Sequence, residues 1–277
     1  MDSIYRGIRQ SIPIVSFSKS GALSIELRAQ TPPLYSFGAA LSVILSVYRH
    51  PMTPTTRLKF EATPERGQVS ALFTRPEDAL ALLVIAHGAG TDMEHYFLNG
   101  LAAALAGQRI ASFRYNFPYR EGGKRGGPNG KAILMATVRA ALAAAAAAAP
   151  DLPLFAGGKS MGGRITSMAA SQAALPGVRG LIFFGFPLHP AGKPATERGD
   201  HLAAVEIPML FLQGPRDTLA LPELIGPLVR QLGPRASLHS VDGADHSFKV
   251  LKRSERTEAD VIEELAQVSA AWMAERA

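Results

Sequence analysis

From residue 57 onward, the chain alternates between short apolar runs and longer stretches in which apolar positions recur with helical spacing. Residues 57–62 and 68–75 alternate apolar and polar side chains, as expected of antiparallel strands with one exposed face. Residues 81–90 (ALLVIAHGAG) form an apolar run ending in glycines, as expected of a strand buried on both faces. The same patterns predict further strands at residues 109–117, 152–156, 178–185, 207–213 and 236–241, and helices at residues 94–106, 131–149, 161–174, 222–232 and 257–275.

This order of elements predicts the architecture of the domain. Repeated strand–helix–strand units with short links favour a mostly parallel sheet covered by helices on both faces. Residues 57–277 contain no internal repeat and no linker, so one α/β domain is expected over this range. Hydrophobic residues make up 47% of the 277 residues, which is enough for a substantial core.

Residues 1–56 form a leader that differs from the rest of the chain. The leader has five basic and two acidic side chains. Its net charge is therefore half of the formal net charge of +6 of the whole chain. Its apolar stretch, residues 36–48, is too short to span a bilayer, and the basic residues before it precede no secretory h-region. We expect a disordered leader or a misannotated start with Met52 as the real one, and the competing hypothesis is an organelle-targeting or membrane-touching segment. Neither stable membrane insertion nor a nucleic-acid partner is expected, because the body after the leader is nearly balanced in charge.

The chain contains no cysteine. Disulfides and thiolate metal sites are therefore excluded, and the composition fits a reducing, cytoplasmic location. The H-E-x-x-H pattern of helical zinc sites is absent, and His87 and His95 lack the i,i+4 spacing of a ligand pair. We expect no metal and no cofactor.

The segment Gly158-Lys159-Ser160-Met161-Gly162 admits two chemical interpretations. Gly-Lys-Ser ends a phosphate-binding P-loop, but that loop needs a glycine five residues before its last glycine, where this chain has Pro153. The same residues form the G-x-S-x-G of a nucleophile elbow, lying between a predicted buried strand and a predicted helix as an elbow requires. We therefore favour Ser160 as a nucleophile.

A serine nucleophile needs a histidine base and an acid that orients the base. In an elbow architecture the acid and then the histidine follow the serine, each after a later strand. Asp217 follows the predicted strand 207–213, and His246 follows the strand 236–241, so Ser160, Asp217 and His246 are the predicted triad. The other candidate histidines are weaker by order or placement, and we expect them to be structural or at the surface: His189, His201 and His239. Asp242 and Asp245 lie near His246 in the sequence, and we expect their loop to shape the turn.

Acyl transfer also needs two backbone N–H groups that stabilise the tetrahedral oxyanion. The residue after the nucleophile, Met161, supplies one, and the loop after the early buried strand supplies the other. Ala89 is the first choice for that second donor, and Gly90 is the alternative. His87 is expected to brace this loop.

Six motifs together resemble one family of small bacterial α/β-hydrolases: IAHGAG, FRYNFPY, GGKSMGGR, GFPLHPAGKP, LFLQGPRD and GADHSFK. The chain resembles the dienelactone-hydrolase-like group and the hydrolase-like domain of a histone-acetyltransferase complex subunit, over residue 57 to the C-terminus. This resemblance implies the α/β-hydrolase fold and the same triad, Ser160, Asp217 and His246. Dienelactone hydrolases proper use a cysteine nucleophile, which this chain lacks, so the resemblance does not extend to their activity.

These patterns together predict a serine hydrolase of small carboxylic esters or thioesters, with a small-molecule acyl substrate. The alternative is a catalytically inactive binding or scaffold module with the same fold. About twenty residues, 187–206, connect the strands between which lids are commonly inserted, and they are rich in proline, so no large lid domain is expected. Five basic residues are expected near the site: Arg120, Lys124, Arg125, Lys159 and Arg164. They form either a solvated surface or a positive charge that favours anionic substrates.

Overall fold

The computed structural model describes residues 11–17, 23–29, 53–123 and 127–277. The chain divides into two compact units, Met1–Pro51 and Met52–Ala277. In the first unit, strand β1 (Ser11–Phe17) pairs antiparallel with β2 (Leu23–Ala29). The apolar stretch 36–48 lies outside the described residues, and the hypotheses about the leader stay predictions.

The described residues of the second unit form one eight-stranded sheet and five α-helices. Its strands are β3 (Thr55–Thr63), β4 (Gly67–Thr74), β5 (Ala81–Ala86), β6 (Ile110–Tyr115), β7 (Leu154–Lys159), β8 (Val178–Phe184), β9 (Met209–Gln213) and β10 (Ala236–Ser240). Its helices are α1 (Tyr96–Gly107), α2 (Lys131–Ala148), α3 (Met161–Gln172), α4 (Pro222–Gln231) and α5 (Glu258–Ala274). The sheet order is β10-β9-β8-β7-β5-β6-β4-β3, with β3 and β4 antiparallel to their neighbours and the other pairs parallel.

Alternate residues of the central strands divide the core into two layers. In β5, Leu82 and Val84 belong to the layer under α2, α3 and α4, whereas Leu83 and Ile85 belong to the layer under α1 and α5. Both faces of the sheet are therefore covered, as the continuous apolar run predicted. Each large aliphatic side chain fully buried in this way stabilises the fold by about 1.5–3 kcal/mol.

Helix α2 is long and apolar enough to cross a membrane by length and composition. Its larger apolar side chains, Leu134, Val138 and Leu142, are buried in the core layer that α2 shares with α3. The remainder of its length is mostly alanine, the residue with the highest helix propensity. In this fold, α2 is a core helix of the sheet.

The predicted mostly parallel sheet with helices on both faces is confirmed, as is the absence of a large lid domain. The 187–206 connection contains only a 3₁₀ helix, Glu197–Ala204. Several boundaries differ from prediction. Strand β5 ends at Ala86 because the residues after it form a loop, and β7 begins at Leu154 and runs to the residue before Ser160. Helix α1 begins at Tyr96, where the His95 ring accepts a hydrogen bond from the Phe97 N–H at 3.4 Å.

Candidate active site

Ser160 lies at the sharp turn between β7 and α3. Its backbone has φ 53° and ψ −119°, a region that L-residues rarely adopt and that costs about 1–3 kcal/mol. The Ser160 N–H donates to the carbonyl of Phe184 at 3.1 Å, which fixes the turn against the end of β8. A Cβ at Gly158 would lie 2.5 Å from the Ala86 carbonyl oxygen, and one at Gly162 would lie 2.3 Å from it. Only glycine permits this approach of α3 to the end of β5, so the elbow geometry explains both motif glycines.

The structure brings the three predicted triad residues together. The Ser160 Oγ lies 2.8 Å from Nε2 of His246, and Nδ1 of His246 lies 2.7 Å from Oδ2 of Asp217. The Asp217 side chain is fully buried, whereas the His246 side chain is 21% exposed. An ionised carboxylate only accepts hydrogen bonds, so Nδ1 carries the imidazole proton and Nε2 is free to accept from the serine hydroxyl. This arrangement has the geometry of a nucleophile, a base and an orienting acid.

Asp217 is held by two further donors. Its Oδ1 accepts from the Leu219 N–H at 2.7 Å, and its Oδ2 accepts from the side-chain amide of Gln213. The side-chain oxygen of Gln213, Oε1, in turn accepts from the Phe186 N–H at 2.9 Å. Gln213 therefore links the buried acid to the loop after β8. Sequence patterns did not predict the contact of Gln213, although this polar residue ends the buried strand β9 four residues before Asp217.

The loop after β5 lies beside Ser160. A Cβ at Gly88 would lie 3.8 Å from the Ser160 Cβ. The Gly88 carbonyl accepts from Nδ1 of His87 at 2.7 Å and from the Thr91 N–H at 3.2 Å, which fixes the orientation of the Gly88–Ala89 peptide. Within the described residues, the N–H groups of Ala89, Gly90 and Met161 donate to no recorded acceptor. Ala89 and Gly90 both remain candidates for the second oxyanion donor.

Three residues just after β6 hold this loop by hydrogen bonds. The Phe117 N–H donates to Nε2 of His87 at 3.1 Å, and the Tyr119 hydroxyl donates to the Ala89 carbonyl at 2.9 Å. The Asn116 side-chain oxygen accepts from the Met93 N–H at 3.0 Å. His87 therefore braces the loop, as expected. The contributions of Asn116 and Tyr119 were not predicted, although both belong to the quoted FRYNFPY motif.

The other three candidate histidines make structural contacts. His189 bonds the Pro190 carbonyl at 2.9 Å, His201 bonds the Ser167 hydroxyl at 2.7 Å, and His239 bonds Glu264 at 2.6 Å. Asp245 accepts from the Ser247 and Lys249 N–H groups at 2.8 and 3.0 Å and so shapes the turn around His246. The Asp242 carbonyl accepts from Arg256 at 3.3 Å, a contact at the surface. The contacts of the three histidines and of Asp245 match the roles expected for them.

The cations near the site differ in what they contact. The Arg120 guanidinium lies 3.5 Å from the Ala89 carbonyl and stacks over the Tyr119 ring. Arg164, one turn into α3, is half-buried, and burial together with the neighbouring Arg198 lowers its pKa. Lys159 points its ammonium at the His246 carbonyl, 2.6 Å away, so its charge is directed into the fold. Lys124 and Arg125 lie outside the described residues.

The model of a family described as an alpha/beta hydrolase domain matches residues 79–274. The chain belongs to this family. The fold is similar to that of a dienelactone hydrolase from Anabaena variabilis, with a TM-score of 0.62, 15% identity, and coverage of 82% of this chain and 99% of that one. It is also similar to a serine hydrolase without a lid from Xanthomonas campestris, with a TM-score of 0.60, 22% identity, and coverage of 80% and 98%. The esterase domain of a Rhodothermus marinus protein matches with a TM-score of 0.60, 19% identity, and the same coverage. The resemblance to small bacterial α/β-hydrolases is thus confirmed at the level of family and fold.

We expect the His87 imidazole to stay neutral in mildly acidic solution, with its proton on Nδ1. Burial lowers the pKa of His87 from 6.5 to about 4. Because the folded-state pKa is depressed, the stability that this group contributes is complete above pH 6.5 and is lost as the pH falls toward 4. Nitrogen-15 NMR of the ring should show a protonated Nδ1 and a bare Nε2 at pH 6.

The control is the variant His87→Gln, whose free energy of unfolding should fall less steeply than that of the wild type between pH 6.5 and 4. The difference in that fall should approach about 3 kcal/mol, from about 1.4 kcal/mol per unit of pKa shift. His201, whose pKa is also lowered to about 4, is present in both proteins and cancels. A His87 resonance that titrates near pH 6.5 would contradict the assigned hydrogen bonds.

Proposed function

We propose that the chain is a serine hydrolase that cleaves small carboxylic esters or thioesters through an acyl-enzyme on Ser160. The observation that carries this proposal is the hydrogen-bonded series from the Ser160 hydroxyl through His246 to the buried Asp217. Membership of the α/β-hydrolase family supports hydrolysis as the general activity. We infer the bond cleaved and the covalent step from the arrangement of the three side chains.

In the proposed first step, His246 Nε2 takes the proton of the Ser160 hydroxyl as Oγ attacks the acyl carbon. Asp217, bonded to Nδ1, stabilises the imidazolium that forms. The N–H groups of Met161 and Ala89 donate to the developing oxyanion, and loss of one such donor typically costs about 3 kcal/mol of barrier lowering. Collapse of the tetrahedral intermediate breaks the bond to the leaving alcohol or thiol, which takes the proton from His246.

In the proposed second step, water attacks the acyl-serine while His246 accepts the water proton. The intermediate collapses to the carboxylic acid product, and His246 returns the proton to the Ser160 oxygen. The residues described supply every proton transfer in this cycle, so the proposal requires no cofactor. The lid-free sheet edge suits small or protruding acyl groups, and the lack of cysteine supports a cytoplasmic location.

We expect Ser160→Ala to reduce kcat for p-nitrophenyl acetate and butyrate to the background rate, because the variant has no nucleophile. Asp217→Asn should lower kcat about 10⁴-fold, because the amide favours the wrong imidazole tautomer. Ser171→Ala, on the same helix but bonded only to the Met168 carbonyl, is the matched control and should leave kcat unchanged. A wild-type rate no higher than that of Ser160→Ala would favour the inactive scaffold module instead.

We further propose that Arg120 and Arg164 favour substrates with a carboxylate or phosphate away from the scissile bond. Neither arginine forms a salt bridge with a described residue, and both lie on segments next to Ser160. Uncompensated cations at a site raise the encounter rate of anionic substrates, and the effect weakens with ionic strength. Lys124 and Arg125 lie outside the described residues, so their hypothesised part in attracting anionic substrates stays a prediction.

For an anionic ester, kcat/KM should fall as salt is added, and Arg120→Gln/Arg164→Gln should lower it about tenfold at low salt. For the neutral analogue, kcat/KM should change little with salt or with the double substitution. Arg179→Gln is the matched control, since this exposed arginine bonds the Arg276 carbonyl near the C-terminus. Equal salt dependence for the two esters would leave only the interpretation of a solvated surface.

A further inference from the structure

Lys159, the residue before the nucleophile, directs its ammonium toward the backbone of the loop that carries His246. Its Nζ donates to the backbone carbonyl of His246 at 2.6 Å. It also lies 5.3 Å from the ring centre of Phe248 and 5.9 Å from that of Phe97. These two rings stack at 5.5 Å with an interplanar angle of 11°. The ammonium is therefore fixed by one carbonyl and two aromatic rings.

Gly185, after β8, leaves room for the Lys159 ammonium. A Cβ at Gly185 would lie 3.1 Å from the Lys159 Nζ and 3.4 Å from the His246 carbonyl oxygen, so a larger residue would crowd the contact. Gly185 also has φ +71°, which favours glycine. The glycine that leaves room for the ammonium is thus the same residue that makes the backbone turn after β8.

Desolvation makes the charged form of the Lys159 side chain unfavourable at this position. Burial lowers the pKa of Lys159 to about 8, and the carboxylates of Asp217 and Asp245 only partly offset that burial. No described carboxylate forms a salt bridge with Lys159. Lys159 is partly buried. An apolar side chain of similar length would avoid the desolvation cost, and replacing desolvated charges in this way is often neutral or stabilising. The contact therefore calls for an explanation other than stability.

We propose that Lys159 is a positioning residue that fixes the His246 loop against the nucleophile strand. The hydrogen bond joins the residue before Ser160 directly to the backbone of the base that serves Ser160. It complements the bond from Asp217, which holds the imidazole ring but not the loop that carries it. The role in turnover rests on the proposed function, whereas the role in holding His246 stands on the contacts alone.

The decisive variant is Lys159→Met, which keeps the apolar stem and removes the donor and the charge. We expect kcat to fall about a hundredfold, the cost of a displacement of about 1 Å in a catalytic group, with KM within about twofold. The rate at which a fluorophosphonate labels Ser160 should fall in parallel. The melting temperature should stay the same or rise, which separates positioning from a general loss of structure.

Lys249→Met is the matched control, because Lys249 is exposed in the same loop region and its side chain is bonded to none of the triad residues. We expect it to behave as the wild type. A kcat of Lys159→Met within about threefold of an active wild type would overturn the proposal.

A second readout does not depend on catalysis. Proton NMR should show the His246 Nδ1 proton, bonded to Asp217, as an exchange-protected downfield signal in the wild type. That signal should broaden or vanish in Lys159→Met and persist in Lys249→Met. A wild type that is inactive and unlabelled would contradict the proposed function but not the positioning. An unchanged Nδ1 signal in Lys159→Met would overturn the positioning whatever the activity.

Discussion

The close approach of α3 to the end of β5 is the constraint on which the site depends. The Ala86 carbonyl oxygen would lie 2.5 Å from a Cβ on Gly158 and 2.3 Å from one on Gly162, so only glycine lets the strand, the turn and the helix meet. Ser160, between these glycines, has the strained φ of 53°, and its Oγ lies 2.8 Å from Nε2 of His246. The same contact brings the loop after β5 alongside the serine, so one packing contact fixes both the proposed nucleophile and the candidate oxyanion donors.

The other groups reach this point because parallel strands end at a common edge. The loops after β5, β6, β7, β8, β9 and β10 all meet there, and hydrogen bonds between loops hold them in register. Gln213 joins the acid to the loop after β8, Tyr119 joins the loop after β6 to Ala89, and Lys159 joins the nucleophile strand to His246. Charged and polar groups buried in this way are stable only when they are paired or bonded, which gives the edge a single arrangement.

Sequence patterns predicted the features that depend on local periodicity and chain order. The buried strands follow from continuous apolar runs, the elbow from Ser160 and its glycines, and the triad candidates from the order of loops after successive strands. Patterns did not predict the contacts made by Gln213, Asn116 and Tyr119, because these depend on which loops meet in three dimensions. Lys159 was grouped with the surface cations for the same reason. A charge next to the nucleophile in the sequence does not reveal that its ammonium turns toward the His246 backbone.

The most direct test of a covalent role for Ser160 is to trap the acyl-enzyme. The wild type would be mixed with p-nitrophenyl butyrate, quenched in acid within the first turnover, digested and analysed by mass spectrometry. Our account predicts a butyryl group on the peptide that contains Ser160. Release of p-nitrophenol by the wild type with no acyl group on that peptide at any quench time would contradict it.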